Sequence, residues 1–174
     1  PPSGPQMQVE VMTLQKTPYQ VNLQSYGTVQ PRTQSMLIAQ VGGEITSINA
    51  SLRDGGFFEK GEELLRIDSR DYQADVKIAE ATLMDTKQSL AEQKARAVQA
   101  LEDWNRLGNK GDAPDLVLRK PQLLAAEARV ISAESSLDKS KLELERTRIL
   151  APYSGRVMSR SVDLGQVVNN NSPL

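Results

Sequence analysis

Five acidic side chains lie close together between residues 54 and 68, an arrangement that acid–base catalysis or metal binding could use. They are Asp54, Glu59, Glu62, Glu63 and Asp68. The whole sequence contains no histidine and no cysteine, which removes the commonest general base and the thiolate nucleophile. No basic residue completes a catalytic arrangement, so we interpret these carboxylates as parts of turns and solvated strand faces. The sequence therefore predicts a protein that is not an enzyme, with no catalytic residue, metal site or cofactor.

The sequence also argues against a phosphate-binding loop and against a nucleic-acid-binding surface. Gly56 and Gly61 have the spacing of a phosphate-binding loop, but the Lys-Ser or Lys-Thr pair that such a loop requires is missing. Lys and Arg number 21 against 22 Asp and Glu, a net charge of −1, which gives no reason to expect a nucleic-acid partner. Aromatic residues make up only 4% of the chain, which is thin for a compact core and fits helices that pack pairwise.

A split repeat indicates how the chain is organised. The segment from Gly42 to Leu65 recurs in outline from Ser154 to Leu174, with glycine, aliphatic and serine positions in agreement. A long stretch of helical pattern separates the two copies. We therefore predict one small β domain made of two half-motifs, with a helical insertion between them.

Alternating polarity and turn residues predict strands before the helices. Residues 7–15 and 19–29 alternate apolar with polar side chains, the pattern of half-buried strands. The first half-motif predicts strands near 44–49 and 63–68, which glycine-containing turns separate.

Seven-residue repeats predict two helices that pack as an antiparallel coiled coil. The first helix spans Asp71 to Leu107, and neither Gly nor Pro interrupts it. The repeating positions are Val76, Leu83, Leu90, Ala97 and Trp104 in the first helix, and Leu116, Leu123, Val130, Leu137 and Leu144 in the second.

The segment 108–115 ends the first helix and begins the second. Gly108 suits the left-handed position after a helix, and Asp112 suits the N-cap of the next one. Pro121 is unfavourable inside a helix, at a cost of about 3 kcal/mol. Two interpretations follow: the second helix kinks at Pro121, or its regular part begins there after a looser entry over 112–120.

Helices that run out and back bring both half-motifs to the base of the hairpin. There we expect the strands of the two half-motifs to pair and to bury one set of aliphatic side chains. That set is Ile45, Ile48, Leu65, Ile67, Ile149, Val157 and Val167. The predicted fold class is α+β.

The same residues resemble a known family. The pattern Gly-x4-Gly-x2-Leu-x2-Ile-Asp begins at Gly56, and Tyr72 follows it. The pattern Arg-Ile-x-Ala-Pro-x2-Gly-x-Val begins at Arg148, beyond the helices. In this order the motifs resemble the periplasmic adaptor, or membrane fusion protein, family of Gram-negative tripartite efflux and secretion systems, over residues 9–174.

The resemblance implies a division into domains. Residues 33–70 and 148–174 would form the two halves of a lipoyl-like β-sandwich, and residues 71–147 an inserted α-helical hairpin. Residues 1–32 would be a leader and strands of incomplete membrane-proximal and β-barrel domains, whose remainder would lie beyond Leu174.

The resemblance also implies partners and a location. The protein would stand in the periplasm, associated with the inner membrane, and link an inner-membrane transporter to a TolC-type outer-membrane channel. A resistance–nodulation–division (RND) exporter is the first expectation for the transporter and an ABC transporter the second. Assembly into a trimeric or hexameric ring is implied too, and the proline-rich opening would suit a spacer after an N-terminal lipid anchor.

The hairpin tip at 108–115 is the candidate docking site for the channel, with Trp104 and Leu107 near it as apolar anchors. Trp104 also continues the seven-residue repeat, and packing between the helices is the favoured interpretation for it. Its candidate residues are Arg106, Leu107, Gly108, Asn109, Lys110, Asp112 and Asp115. Many family members carry Arg-x3-Leu-x6-Ser across this tip. The corresponding positions here are Glu102, Arg106 and either Asp112 or Ala113, so the identity of the channel stays open.

Two hypotheses from other classes compete with the adaptor. A biotin- or lipoate-carrying domain shares the half-motif geometry, but it needs a modifiable lysine in a tight hairpin between the halves, where this sequence has helices. A coiled-coil scaffold without a transport role is the other.

Overall fold

The computed structural model describes residues 3–108 and 111–174. Within those residues it contains both helices and strands, which confirms the predicted mixed content. In chain order the elements are β1 (Gly43–Ile48), β2 (Phe57–Phe58), β3 (Glu63–Ile67), α1 (Arg70–Arg106), α2 (Lys120–Glu145), β4 (Arg148–Leu150), β5 (Gly155–Arg156) and β6 (Val167–Val168).

The chain divides into two units, with the boundary between residues 34 and 35. In the first unit, residues 3–34 contain neither helix nor strand, and all of them are exposed. The structure therefore lacks the strands predicted at 7–15 and 19–29. Alternating polarity gives a segment one apolar face, but a strand also needs a neighbouring strand for its backbone groups. None of residues 3–34 belongs to a β ladder.

The second unit is built on strands that come from both sides of the helices. One sheet has the order β4-β3-β1-β6, and β2 pairs with β5 in a second. Leu65 lies opposite Ile149, Gly43 opposite Val168 and Phe58 opposite Gly155, all in antiparallel pairs. Each of these pairings joins a segment before α1 to a segment after α2.

The core of this unit contains most of the aliphatic residues that the sequence predicts to be buried. Val167 is the exception, because it is exposed while its neighbour Val168 is buried. Successive side chains of a strand point to opposite faces, so a shift of one residue exchanges the buried and exposed positions. The confirmed residues are Ile45, Leu65, Ile67 and Ile149, which are buried, and Ile48 and Val157, which pack partly buried against them.

Both ends of the helical hairpin are fixed to the sheet by short connections. Two residues link β3 to α1, and two link α2 to β4. The Ile67 N–H donates a hydrogen bond to the Thr147 carbonyl at 2.8 Å, and Thr147 is only 1% exposed. The Tyr72 hydroxyl donates to the Gly42 carbonyl at 2.7 Å. These bonds hold the base of both helices against β1 and β3.

The two helices pack antiparallel along the predicted stripes, which we call the seam. The Lys87 Nζ and Glu134 Oε1 atoms form a half-exposed ion pair across it at 3.1 Å, so these two residues lie at the same level of the two helices. The predicted positions of α1 from Val76 to Trp104 are half-buried, while their neighbours are mostly exposed. The buried residues of α2 are Ala126, Val130, Ala133 and Leu137.

Replacing Leu137 by alanine tests whether the seam stabilises the fold. Because the side chain is buried between the helices, we expect Leu137→Ala to lower the free energy of unfolding by about 2–4 kcal/mol. Urea denaturation followed by circular dichroism measures this. Leu142→Ala is the matched control, since Leu142 is on the same helix but exposed, and its loss should stay below about 1 kcal/mol. Equal losses in the two variants would contradict the seam.

Candidate functional site: the hairpin tip

The first helix ends as the sequence predicts. The Leu107 N–H donates to the Asp103 carbonyl at 3.1 Å, and the Gly108 N–H donates to the Asn105 carbonyl at 3.2 Å. Gly108 has φ +72°, the left-handed conformation that favours glycine after a helix. Two of the candidate residues, Asn109 and Lys110, lie outside the described residues.

The sequence predicts Asp112 as the N-cap of the second helix. This prediction is wrong, because the helix begins further along the chain. α2 starts at Lys120, with Arg119 at the N-cap and Pro121 in the first turn. Proline is well placed there, because the first N–H groups of a helix need no intrahelical partner. A helix continuing upstream would need the N–H that Pro121 lacks and would press its ring on the Val117 carbonyl. Of the two interpretations, the looser entry before Pro121 is confirmed.

The late start of α2 leaves Leu116 outside the seam. The seven-residue spacing predicts this side chain in the stripe, but it is 75% exposed, and this prediction is wrong. A stripe positions a side chain only while the backbone is helical, and residues 115–119 form turns instead. The Leu118 N–H donates to the Pro114 carbonyl at 3.0 Å within this segment. Leu107 is 79% exposed at the end of α1, so the tip presents two leucines to solvent.

Charged residues are neighbours of both leucines in the chain. Arg106 Nη2 lies 3.6 Å from Asp103 Oδ1, and Lys120 Nζ lies 2.6 Å from Asp115 Oδ1. Asp112 is exposed. All the side chains of these ion pairs are more than half exposed, and such pairs contribute little to stability because water screens them. The structure thus places Arg106, Leu107, Gly108, Asp112 and Asp115 on the exposed surface of the hairpin end.

Sequence reasoning missed a polar contact that joins the start of α2 to α1. Arg119 Nη2 donates to Gln93 Oε1 on α1 at 3.1 Å, and Arg119 has φ +53°, a strained value for a residue with a side chain. The Arg119 Nε atom is buried and has no hydrogen-bond partner among the described residues. A glutamine within an apolar stripe was the available signal, since a polar residue at a seam position often meets a polar partner.

The carboxylates between residues 54 and 68 hold turns together. The Glu62 carboxylate accepts hydrogen bonds from the Glu59 N–H, the Ser51 hydroxyl and the Asn49 amide, which keep the pKa of Glu62 below its ordinary value. The Asp54 carboxylate accepts the Arg160 N–H at 3.1 Å. These contacts support the interpretation of this cluster as turn structure.

Glu63 and Asp68 lie at the hairpin base. Burial raises the pKa of Glu63, but hydrogen bonds from Arg148 and Arg66 outweigh it, and the net pKa lies below the ordinary value. The Arg70 guanidinium hydrogen-bonds Asp68 and lowers the pKa of that carboxyl. Glu63 Oε2 lies 2.7 Å from Arg148 Nε, so this ion pair joins β3 to the start of β4.

Residues 3–108 and 111–174 contain neither a cluster of metal-ligating side chains nor a helix with the length and apolar character needed to cross a bilayer.

Most of the chain matches the profile of one protein family. Residues 33–174 match the profile described as "RND MFP, barrel-sandwich hybrid domain", where MFP stands for membrane fusion protein. The match covers well over half of the chain and includes both the strands and the helices.

Individual proteins agree with this match. The chain is 24% identical over 172 residues to "Multidrug resistance protein MexA" of Pseudomonas aeruginosa, covering 98% of this chain and 40% of MexA. It is 27% identical over 171 residues to "Antibiotic efflux pump periplasmic linker protein ArpA" of Pseudomonas putida, covering 97% of this chain and 41% of ArpA. The chain therefore spans about two fifths of these relatives.

A solved structure has the same fold over most of the chain. It is a MacA–MexA chimeric protein that contains the α-hairpin domain of Pseudomonas aeruginosa MexA. The TM-score is 0.57 at 26% identity, over 80% of this chain and 45% of the chimera.

The low pKa of Glu63 predicts an acid-sensitive contribution to stability. A carboxyl whose pKa is lowered on folding stabilises the fold above its unfolded pKa, and this stabilisation is lost as the pH falls through the folded pKa. We expect Glu63→Gln to be less stable than the parent at pH 7 and the difference to shrink below about pH 4.5. Urea denaturation between pH 7 and pH 3 measures it. Glu145→Gln is the control, because Glu145 is an exposed carboxylate on α2. If the loss of stability caused by Glu63→Gln grew as the pH fell, the assignment would be contradicted.

The exposure of the tip leucines predicts that they contribute little to folding. Leu107→Ser and Leu116→Ser should each change the free energy of unfolding by less than about 0.5 kcal/mol. Leu123→Ser, on the seam one heptad after Leu116, should cost about 2 kcal/mol or more. Parallel urea titrations of the three variants check this. A loss for Leu116→Ser as large as that for Leu123→Ser would mean that Leu116 occupies the seam.

Proposed function

Because the chain belongs to the RND membrane fusion protein family, in its barrel-sandwich hybrid domain, we propose that it is the adaptor region of a tripartite efflux pump. The adaptor is not an enzyme. It links an inner-membrane transporter to an outer-membrane channel in the periplasm, and the energy for transport comes from the transporter. The match of residues 33–174 carries this proposal, and the names of the relatives, such as "efflux pump periplasmic linker", support it.

The division into domains is part of the proposal. Residues 33–70 and 148–174 are the halves of a lipoyl-like β-sandwich, and residues 71–147 are a coiled-coil hairpin inserted between them. The pairing of β3 with β4 and of β1 with β6 supports the joining of the two halves. A carrier of biotin or lipoate would need its modifiable lysine where α1 and α2 are inserted.

The hairpin tip is the part of this adaptor that we assign to channel docking. Leu107 and Leu116 are exposed there, and burying such a side chain against a partner contributes about 1.5–3 kcal/mol. The ion pairs next to these leucines in the chain are solvated, and we assign to them the polar rim of the contact surface. Together these residues have the composition of a small contact surface. Its charged rim, in place of the Arg-x3-Leu-x6-Ser pattern, would select the channel.

The remaining partners follow from the family. An RND exporter is the transporter that the family profile favours, and an ABC transporter is the second candidate. We propose a TolC-type channel, a trimeric or hexameric ring of adaptors, and association with the inner membrane.

A crosslinking experiment in the complete protein tests the docking role. A photoreactive amino acid at Asp112, in cells that contain the transporter and a TolC-type channel, should crosslink to the channel. Leu107→Ser combined with Leu116→Ser should reduce that product about tenfold or more, because two apolar contacts are lost while folding is retained. Drug efflux should fall in parallel.

The control for this experiment is Ile78→Ser, which removes an exposed aliphatic side chain near the base of the hairpin. It should leave both crosslinking and efflux unchanged. An undiminished crosslink in the folded double leucine variant would refute docking through the tip.

A further inference from the structure

The chain makes one helical turn of its own before α2 begins, and we call residues 114–118 the entry turn. Its closing bond runs from the Leu118 N–H to the Pro114 carbonyl at 3.0 Å, with the spacing of an α-helix. Val117 and Leu118 are half-buried, whereas Leu116 is exposed. The entry turn therefore has an inner and an outer side, and Leu116 lies on the outer one.

A Schellman motif ends the entry turn. The Lys120 N–H donates to the Asp115 carbonyl at 3.0 Å, and inside this bond the Arg119 N–H donates to the Leu116 carbonyl at 3.2 Å. Such a nested pair satisfies the last carbonyls of a helical segment and needs a left-handed residue at its end. That residue is Arg119, with φ +53°. Arg119 is also the N-cap of α2, so it is the joint at which the entry turn meets the second helix.

Arginine is an unfavourable residue for this joint. In the left-handed conformation the Cβ atom lies too close to the following carbonyl oxygen, and glycine avoids this strain because it has no Cβ. A hydrophobic contact often accompanies a Schellman motif, but its two positions hold Asp115 and Lys120, which form a solvated ion pair. Backbone strain of this kind persists only where other contacts hold the residue.

The side chain of Arg119 makes such a contact. Its Nη2 atom donates to Gln93 Oε1 on α1 at 3.1 Å, in a partly buried position. Gln93 lies seven residues from both Thr86 and Ala100, and all three are half-buried, so the acceptor belongs to the side of α1 that packs on α2. Glycine at the joint could not reach this acceptor. The Arg119–Gln93 bond therefore ties the joint to the other helix.

We propose that Arg119 is a positioning residue of the hairpin tip. A single helical turn is unstable on its own in water, because closing it fixes several residues for one hydrogen bond. The Arg119–Gln93 bond holds the joint against α1, which keeps the entry turn formed and Leu116 on its outer side.

This inference rests on the docking role proposed for the tip and gives that role a cause. The apparent affinity of a binding surface falls with the fraction of molecules in which the surface is formed. If the entry turn were formed in one fifth of the molecules, a contact that needs Leu116 would be about fivefold weaker. Arg119 would then affect docking without touching the channel.

Hydrogen exchange of the chain, followed by NMR, tests whether the bond holds the entry turn. Gln93→Leu removes the acceptor but leaves an apolar residue on the packed side of α1, so the helices should stay together. The N–H groups of Leu118 and Lys120 should then exchange about fivefold faster or more, because the turn opens more often. Gln93→Glu keeps an acceptor for Arg119 and should leave their exchange unchanged.

The matched control is Gln99→Leu, the same substitution at an exposed position of α1. It should leave the exchange of both N–H groups as in the parent. Equal exchange rates in Gln93→Leu and Gln99→Leu would overturn the positioning role, and this result needs no partner protein.

The photocrosslink from Asp112 to the channel, in the complete protein, tests the consequence for docking. Gln93→Leu should lower its yield about fivefold, and Gln93→Glu should keep the parent yield. Arg119→Gly should lower the yield by a similar factor, although glycine relieves the strain at the joint. Gln93→Leu combined with Arg119→Gly should lower it no further than either change alone, because both remove the same bond.

The possible failures are distinguishable. Parent-level crosslinking in folded Arg119→Gly would show that the backbone of the joint alone positions Leu116, and the inference would be wrong. The same result in Gln93→Leu, while Leu107→Ser with Leu116→Ser still reduces the yield, would also remove the role of Arg119 but leave docking through the tip intact. Undiminished crosslinking in the double leucine variant would instead contradict the proposed function.

Discussion

The backbone pairing of β3 with β4 is the constraint on which the rest of the second unit depends. Leu65 lies opposite Ile149, and the Ile67 N–H reaches the Thr147 carbonyl, although the whole hairpin separates them in the chain. Closing so long a loop costs entropy, but that cost grows only slowly with loop length. Burial along the seam offsets it. The sheet therefore requires a helical segment that returns to its starting point, and it places little restriction on how far that segment extends.

Sequence periodicity predicted the parts of the fold in which one pattern persists over many residues. The first helix was expected from Asp71 to Leu107 and spans Arg70–Arg106, because each heptad independently favours the same seam. Short strands gave weaker signals: Val167 and Val168 are both aliphatic, and only the pairing of Gly43 with Val168 decides which is buried. Residues 7–29 show that alternating polarity alone does not specify a strand, since the pattern does not identify a neighbouring strand with which the segment can pair.

The sequence predicted where the candidate site lies in the hairpin, but it did not predict the contacts that its residues make. Leu116 continues the spacing of the second stripe, yet Pro121 fixes the start of α2 after it. The local chemistry of a single proline thus overrode a longer-range pattern, because a missing N–H and a ring clash cost more than one leucine gains at an exposed end. The Arg119–Gln93 contact could not be predicted, since it depends on the left-handed conformation of Arg119.

The hairpin separates the residues that fold it from the residues that remain available to partners. The seam buries small and branched side chains such as Ala126 and Val130, and the helices need no contribution from their outer faces once this line is formed. Leu116, Leu124 and Ile131 are consequently neither stabilised by the fold nor required for it. Exposed apolar side chains that lie together on a soluble protein mark contact sites, and this is the basis of the docking role that we propose for the tip. Because the tip leucines lie outside the seam, they can change without disturbing the helix packing that positions them.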